Sequence, residues 1–197
     1  MSGDVCARLC VRVYLFDNAQ GNTALHYLIL RGQLLAAWLL LQTGQCKVDT
    51  RNKFGYTPCM MLCGAPPGEV GSNQFVVKKL FELADINLQA AQDGQTALMM
   101  AVHRSNRVMV ELLLNTGQCQ VNLQDMDGST ALMFASESGE EDIVRLILAR
   151  EDCDVNIKDH DENTALQIAL EKTRRGVSVL LYAALVYGKH KNDVQSA

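Results

Sequence analysis

Runs of apolar residues return along the chain at a fixed interval, each followed by a polar stretch unsuited to a core. Leu39-Leu40-Leu41, Leu112-Leu113-Leu114, Leu146-Ile147-Leu148 and Leu180-Leu181-Tyr182 lie sixteen to eighteen residues after Thr23, Thr96, Thr130 and Thr164. Within "VMVELLLN" and "DIVRLILA" the apolar residues fall at i, i+3 and i+4 with charges on the other face. That spacing predicts a helix buried along one side. A shorter apolar stretch precedes each, opened by a threonine whose hydroxyl can cap exposed N–H groups. A polar turn around Gly32, Ser105 and Gly139 separates the two helices. The links after the second helix, such as "GQCQVNLQDMDG", carry Asn, Asp and Gly and suit a protruding hairpin.

The segments "GNTALHYLIL", "GYTPCMMLCG", "GQTALMMAVH", "GSTALMFASE" and "ENTALQIALE" are versions of one another, with threonines at 23, 57, 96, 130 and 164. Their spacings are 34, 39, 34 and 34. Val48-Asp49, Val121-Asn122 and Val155-Asn156 keep the phase. One such unit cannot bury its own apolar face, so stacking on neighbours must stabilise it. The pattern predicts an all-α solenoid of about five helix-turn-helix repeats, near 17–51, 52–90, 91–124, 125–158 and 159–192. Residues 1–16 read as a capping segment and 193–197 as a tail. The five extra residues of the second unit fit between Gly64 and Asn73, where Pro66 and Pro67 end the first helix.

The order Gly-x-Thr-Ala-Leu, short helix, glycine turn, Leu-rich helix and Val-Asn resembles the ankyrin repeat over about residues 17–190. "GNTALHY", "NKFGYTP", "GQTALM", "DMDGSTALMFASE" and "LLYA", in this order with an expanded second unit, resemble the C-terminal ankyrin domain of the KANK family (KN motif and ankyrin repeat proteins). Nothing here matches that family's N-terminal KN motif or coiled coils, so the chain reads as a fragment or a reduced relative. The resemblance implies a non-catalytic cytoplasmic adaptor whose ankyrin domain holds a peptide of a kinesin-4 motor, linking cortical adhesion sites to microtubules. A different peptide partner is the alternative, because the first two units depart most from the pattern.

In an ankyrin stack, residues just before the threonine and near the end of the short helix line the concave surface. These map to Gln20, Asn22, Leu30 and Arg31 in the first unit, and to Lys53, Phe54 and Tyr56 in the second. Asp93, Gln95, His103 and Arg104 follow in the third, and Met126, Asp127, Ser129, Glu137 and Ser138 in the fourth. Phe54 and Tyr56 are two aromatics in a turn where polar residues are cheaper, which makes them candidate binding anchors. The plain alternative is that they pack on the adjacent hairpin.

A formal charge of −4 argues against broad nucleic-acid binding and against an anionic membrane. The opening "MSGDVCARLCVRVYLF" interrupts its apolar run with Arg8 and Arg12, so it is neither signal peptide nor membrane span. A reducing compartment follows, and the seven cysteines read as free thiols. Cys46, Cys119 and Cys153 recur twenty-three residues after their threonines, so each is separated from the next by a repeat height and they read as small buried hydrophobes. Cys59 stands where other units have leucine, and Cys63 lies one turn on. A zinc or redox site there would need two more ligands, and His26 and His103 belong to other repeats at different phases. Cys6 and Cys10 read alike.

"GAPPGEVG" lacks the lysine of a phosphate loop, and neither a Gly-x-Ser-x-Gly elbow nor a His-Glu-x-x-His pair occurs. No enzyme, cofactor, metal or small-molecule substrate is therefore expected. His26 reads as a hydrogen-bonding link between neighbouring turns. Met60, Met61, Met99, Met100 and Met133 read mainly as core, with a Met-lined groove as the second reading. "ESGEED", Glu137 to Asp142, reads as a solvated face able to attract a basic partner.

Overall fold

The computed structural model describes residues 19–65 and 73–194, with side chains described as far as 187. The capping segment 1–16 with Arg8, Arg12, Cys6 and Cys10, the prolines Pro66 and Pro67, and the end of the tail lie outside the described residues.

Ten helices occur among the described residues, in five pairs. The short inner helices are α1 (Ala24–Leu30), α3 (Pro58–Cys63), α5 (Ala97–His103), α7 (Ala131–Ser138) and α9 (Ala165–Glu171). Their outer partners are α2 (Leu34–Gln42), α4 (Gln74–Leu83), α6 (Arg107–Leu114), α8 (Glu141–Leu148) and α10 (Arg175–Val194). Each inner helix packs on the inner helix of the next repeat. Two isolated antiparallel bridges, Gln89 with Thr96 and Lys158 with Thr164, mark the hairpin necks.

Every repeat threonine stands at an N-cap in extended backbone. The hydroxyls of Thr57, Thr96 and Thr130 accept from the amides of Met60, Met99 and Met133 at 3.3, 3.3 and 3.4 Å. The methionine sulfurs accept in return from the threonine amides at 3.4, 3.4 and 3.3 Å. These are capping boxes closed by a thioether instead of a carboxylate. Those three methionines are thus core and cap together, and Gln167 does the same for Thr164. Between paired helices the chain turns through a left-handed residue: Gly32, Ser105, Gly139 and Thr173, all nine residues after their threonines.

The core runs the length of the stack between the two helix layers. Outer helices contribute pairs one turn apart, such as Val110 and Leu113, or Val144 and Ile147, all fully buried. In the second repeat the equivalents are Val77 and Leu80, counted from the N-cap residues Asn73 and Asn106.

That register corrects the placement of the expansion. Fifteen residues separate Thr57 from Asn73, against nine between Thr96 and Asn106. Asn87 and Asn122 make the same bonds to the following repeat: Asn87 donates to Gln118 O and accepts from Gln120 N, and Asn122 donates to Asp152 O and accepts from Asp154 N. Five residues then separate Phe81 from Asn87, against seven between Leu114 and Asn122. Eight separate Asn87 from Thr96, against seven between Asn122 and Thr130. The net five is an interval between the N-caps of the paired helices longer by six residues, a link shorter by two and a hairpin longer by one.

The longer hairpin has a local cause. Asn52, Asp125 and Asp159 each accept two tip amides on Oδ1, for instance Asp127 N at 3.0 Å and Ser129 N at 2.8 Å on Asp125. The third hairpin has Ala90 in that place, and Ala90 has no side-chain acceptor. An additional residue lets Asp93 accept from Gln95 N at 3.0 Å instead.

Candidate functional site

A cavity of about 280 Å³ opens on the inner-helix side between the second and third repeats. Its floor is thioether: Met60, Met61 and Met100. Tyr56 and Gln95 form the hairpin wall, and Gly64, His103 and Arg104 the wall at the helix ends. Four residues expected on the concave surface, Tyr56, Gln95, His103 and Arg104, therefore converge on one hollow.

Tyr56 is fixed from both sides. Its carbonyl oxygen accepts from His26 Nε2 at 2.9 Å. Thr23 N donates to His26 Nδ1 at 3.2 Å, so Nδ1 is the acceptor and Nε2 carries the proton. Burial lowers the His26 pKa, which keeps the ring neutral and the tautomer defined. The Tyr56 hydroxyl points to Asp93 Oδ2 at 3.5 Å, and burial together with that carboxylate raises the phenol pKa. His103 is held by an edge-on contact with Phe134, ring centres 6.3 Å apart. In phase with Met61 and Met100, four residues after each threonine, stand Tyr27, Phe134 and Ile168. They extend an apolar stripe along the inner helices.

The two proposed aromatic anchors part company. Tyr56 is half-buried in the cavity wall, whereas Phe54 sits at the hairpin tip, 44% exposed, and does not line the hollow. The reason is the Asx turn of Asn52, which faces alternate residues of the tip in different directions. Lys53 donates its amide to Gln20 O and its Nζ to Ala19 O, tying the tip to the first hairpin. Leu30 and Arg31, at the end of α1, are exposed, and the Arg31 guanidinium lies 5.3 Å from the Tyr27 ring centre. Met126 and Asp127 project from the fourth hairpin. Glu137 pairs with Lys172 at 3.0 Å beside exposed Ser138. Like Phe54, none of these seven lines the cavity. The methionine floor was legible only as a second reading, because buried and groove-lining methionines share one spacing.

The acidic run is less free than its sequence suggests. Glu140 accepts from Ser105 Oγ at 2.6 Å, and Glu141 lies 3.8 Å from Arg145.

Burial disfavours the thiolate at three of the described cysteines, Cys63, Cys119 and Cys153. Cys59 and Cys63 are fully buried, and burial holds the Cys63 thiol far above its ordinary range, with Cys59 hydrogen-bonded beside it. Burial pushes Cys119 up to about 12 and Cys153 up to about 11. Cys46 and Cys153 are half-buried, not fully buried as expected; among the three only Cys119 is a core residue. Arg150 of the next repeat reaches over to Leu114 O beside Cys119, whereas Ala184 is in phase with it one repeat later. Among the described residues no group of three or more His, Cys, Asp or Glu could hold a metal ion. No helix among them is long and apolar enough to cross a membrane.

Comparison with known families agrees with this architecture. Residues 69–159 and 124–194 match a family model described as ankyrin repeats (3 copies), and residues 20–53 match one described as ankyrin repeat.

Proposed function

The chain belongs to the ankyrin-repeat family and is a protein-interaction module, and on that premise we propose that its concave groove binds a peptide segment of a kinesin-4 motor. The observation that carries the binding mode is the methionine-floored cavity flanked by Tyr56 and Arg104. A thioether floor is soft and unbranched and adapts to a bulky apolar side chain. Tyr56 supplies a rigid amphipathic wall at low entropic cost. Leu30, Arg31, Lys53, Phe54, Gln95, His103, Met126, Asp127, Glu137 and Ser138 then flank the segment and fix its register.

The motor as partner is supported by the ordered motifs shared with the KANK family, from "GNTALHY" to "LLYA". With that partner the protein is a cytoplasmic adaptor at the cell cortex, linking it to microtubules, and performs no catalysis.

Fluorescence anisotropy of a labelled kinesin-4 peptide tests this directly. The unaltered chain is expected to bind, Tyr56→Ala to weaken binding at least tenfold, and Phe54→Ala by less than threefold. No binding by the unaltered chain removes the motor as partner and leaves the general module. Equal affinity of a folded Tyr56→Ala variant removes the cavity.

A further inference from the structure

The groove is electrically uneven along its length. At the wall made by the inner-helix ends, the first and third repeats present Arg31 and Arg104, while the fourth presents Glu137 beside Ser138 and the fifth presents Glu171 beside Lys172. At the hairpin wall the second repeat presents Lys53, and the next three tips present Asp93, Asp127 and Asp161. The hairpin wall changes sign after the second repeat, and the helix-end wall passes from basic in the third repeat to acidic in the fourth and mixed in the fifth. The change brackets the cavity, whose two rims carry Arg104 and the Tyr56–Asp93 contact.

The exposed members are available to a ligand. Arg104 makes no ion pair among the described residues, and neither do the carboxylates of Asp127 and Asp161. Glu137 is shared with Lys172, so the tip aspartates carry most of the acidic half. In a chain of net charge −4, a basic stretch over the first repeats is not the surface average.

We propose that the segment read by this groove is itself polarised: a bulky apolar residue seated in the methionine cavity, acidic side chains towards the first two repeats, and basic side chains towards the fourth and fifth. This rests on the groove reading above and adds the partner's charge order to it. Adjacent repeats stand about 10 Å apart, the packing distance of helices. The span from the second repeat to the fifth is then about 30 Å, or about nine extended residues. Each exposed charge contact contributes little alone. Together they set register and direction, since the reversed order sets like charges against each other at both ends.

The test pans a library of random twelve-residue peptides on phage against the full chain. Selected peptides are synthesised and titrated while the methyl signals of Met61 and Met100 are followed by NMR, a readout of groove occupancy that needs no mutation. Peptides that shift those methyls are expected to carry acidic and basic residues on opposite sides of an apolar residue. Asp127→Lys/Asp161→Lys is expected to weaken them at least tenfold at low salt, and less at half-molar salt. Both sites are exposed tips, and a thermal melt verifies that the variant is folded. Groove-bound peptides without charge order, or indifferent to the double substitution, overturn the polarity and leave the groove standing. Selected peptides that move neither methyl overturn the groove and the polarity together.

Discussion

The junction between the second and third repeats, where the methionine-floored cavity opens, and the junction between the third and fourth join their hairpin tips differently. At the regular junction the hairpin tips are zipped by backbone: Met126 N donates to Asp93 O at 2.9 Å, as His160 N does to Asp127 O at 3.0 Å one repeat later. Gln89 adds a side-chain clasp, donating to Gly94 O at 2.9 Å within its own hairpin and to Gln124 O at 2.7 Å in the next. Across the irregular junction no tip amide reaches the preceding tip. The Arg51 guanidinium spans the gap, donating to Gly55 O at 3.3 Å and to Gln89 O. Gly55 meets Ala91 so closely that a Cβ would stand 2.6 Å from Ala91 N. The outer helices α4 and α6 do not pack closely, unlike the other neighbouring outer pairs. The methionine-floored cavity thus lies at the junction where the repeat rule is broken.

The largest effect is expected at Gly55. Gly55→Ala meets both a left-handed backbone (φ +79) and the Ala91 backbone, and should cost about 3 kcal/mol from strain plus displacement. Gly44→Ala, also left-handed at φ +66 but with nothing within 4 Å of its Cβ, should cost about 1 kcal/mol. Urea unfolding of the two variants separates the terms, and equal costs would mean that the close approach at Ala91 does not exist.

His26 comes next, because it secures Tyr56, one wall of the irregular junction. His26→Leu leaves the Tyr56 carbonyl without its donor and should cost about 2 kcal/mol. The native-state pKa of His26 lies below its ordinary value of 6.5, so folding disfavours the protonated ring. Its stabilising contribution is complete above about pH 6.5 and declines as pH falls below it. The stability of the leucine variant should therefore fall less steeply between pH 7 and 5 than that of the unaltered chain.

Arg51→Ala should cost about 1 kcal/mol, because the bonds it loses are charge-assisted but largely exposed. Gln124→Ala, at the clasp in phase with it, should cost less, since Met126 N and His160 N remain zipped to the tips before them. A larger loss at Gln124 would reverse the ranking of the two junctions.

Much of this stack is readable from the chain because each unit repeats its physics. A threonine before Ala-Leu caps a helix, and a glycine two residues earlier admits the next hairpin's backbone. The phase alone therefore located Tyr56, Gln95, His103 and Arg104 on one face. The division of the five extra residues was not readable, because a net length hides opposite changes. Only the matched bonds of Asn87 and Asn122 align the hairpins and expose the shorter link and longer tip. Nor could spacing separate Tyr56 from Phe54: their directions are set by Asn52 Oδ1 binding both their amides, a side-chain bond with no periodicity.

Glu162 tests the glycine rule at its weakest point. It occupies the position of Gly21, Gly55, Gly94 and Gly128 with the same left-handed backbone, φ +63, although it carries a side chain. At Gly94 and Gly128 a Cβ would meet the next hairpin's amide at 2.9 Å, but among the described residues no hairpin follows Glu162. Only the backbone penalty remains there, about 1 kcal/mol. Glu162→Gly relieves it, but frees the unfolded chain by about 0.5–1 kcal/mol and deletes the exposed pair with Lys158. The opposing effects should leave stability within about 0.5 kcal/mol of the starting value, since the terms are of similar size. A loss above 1 kcal/mol in urea unfolding would show that Glu162 makes a contact of its own, and that the last hairpin is held by more than the rule that shapes the others.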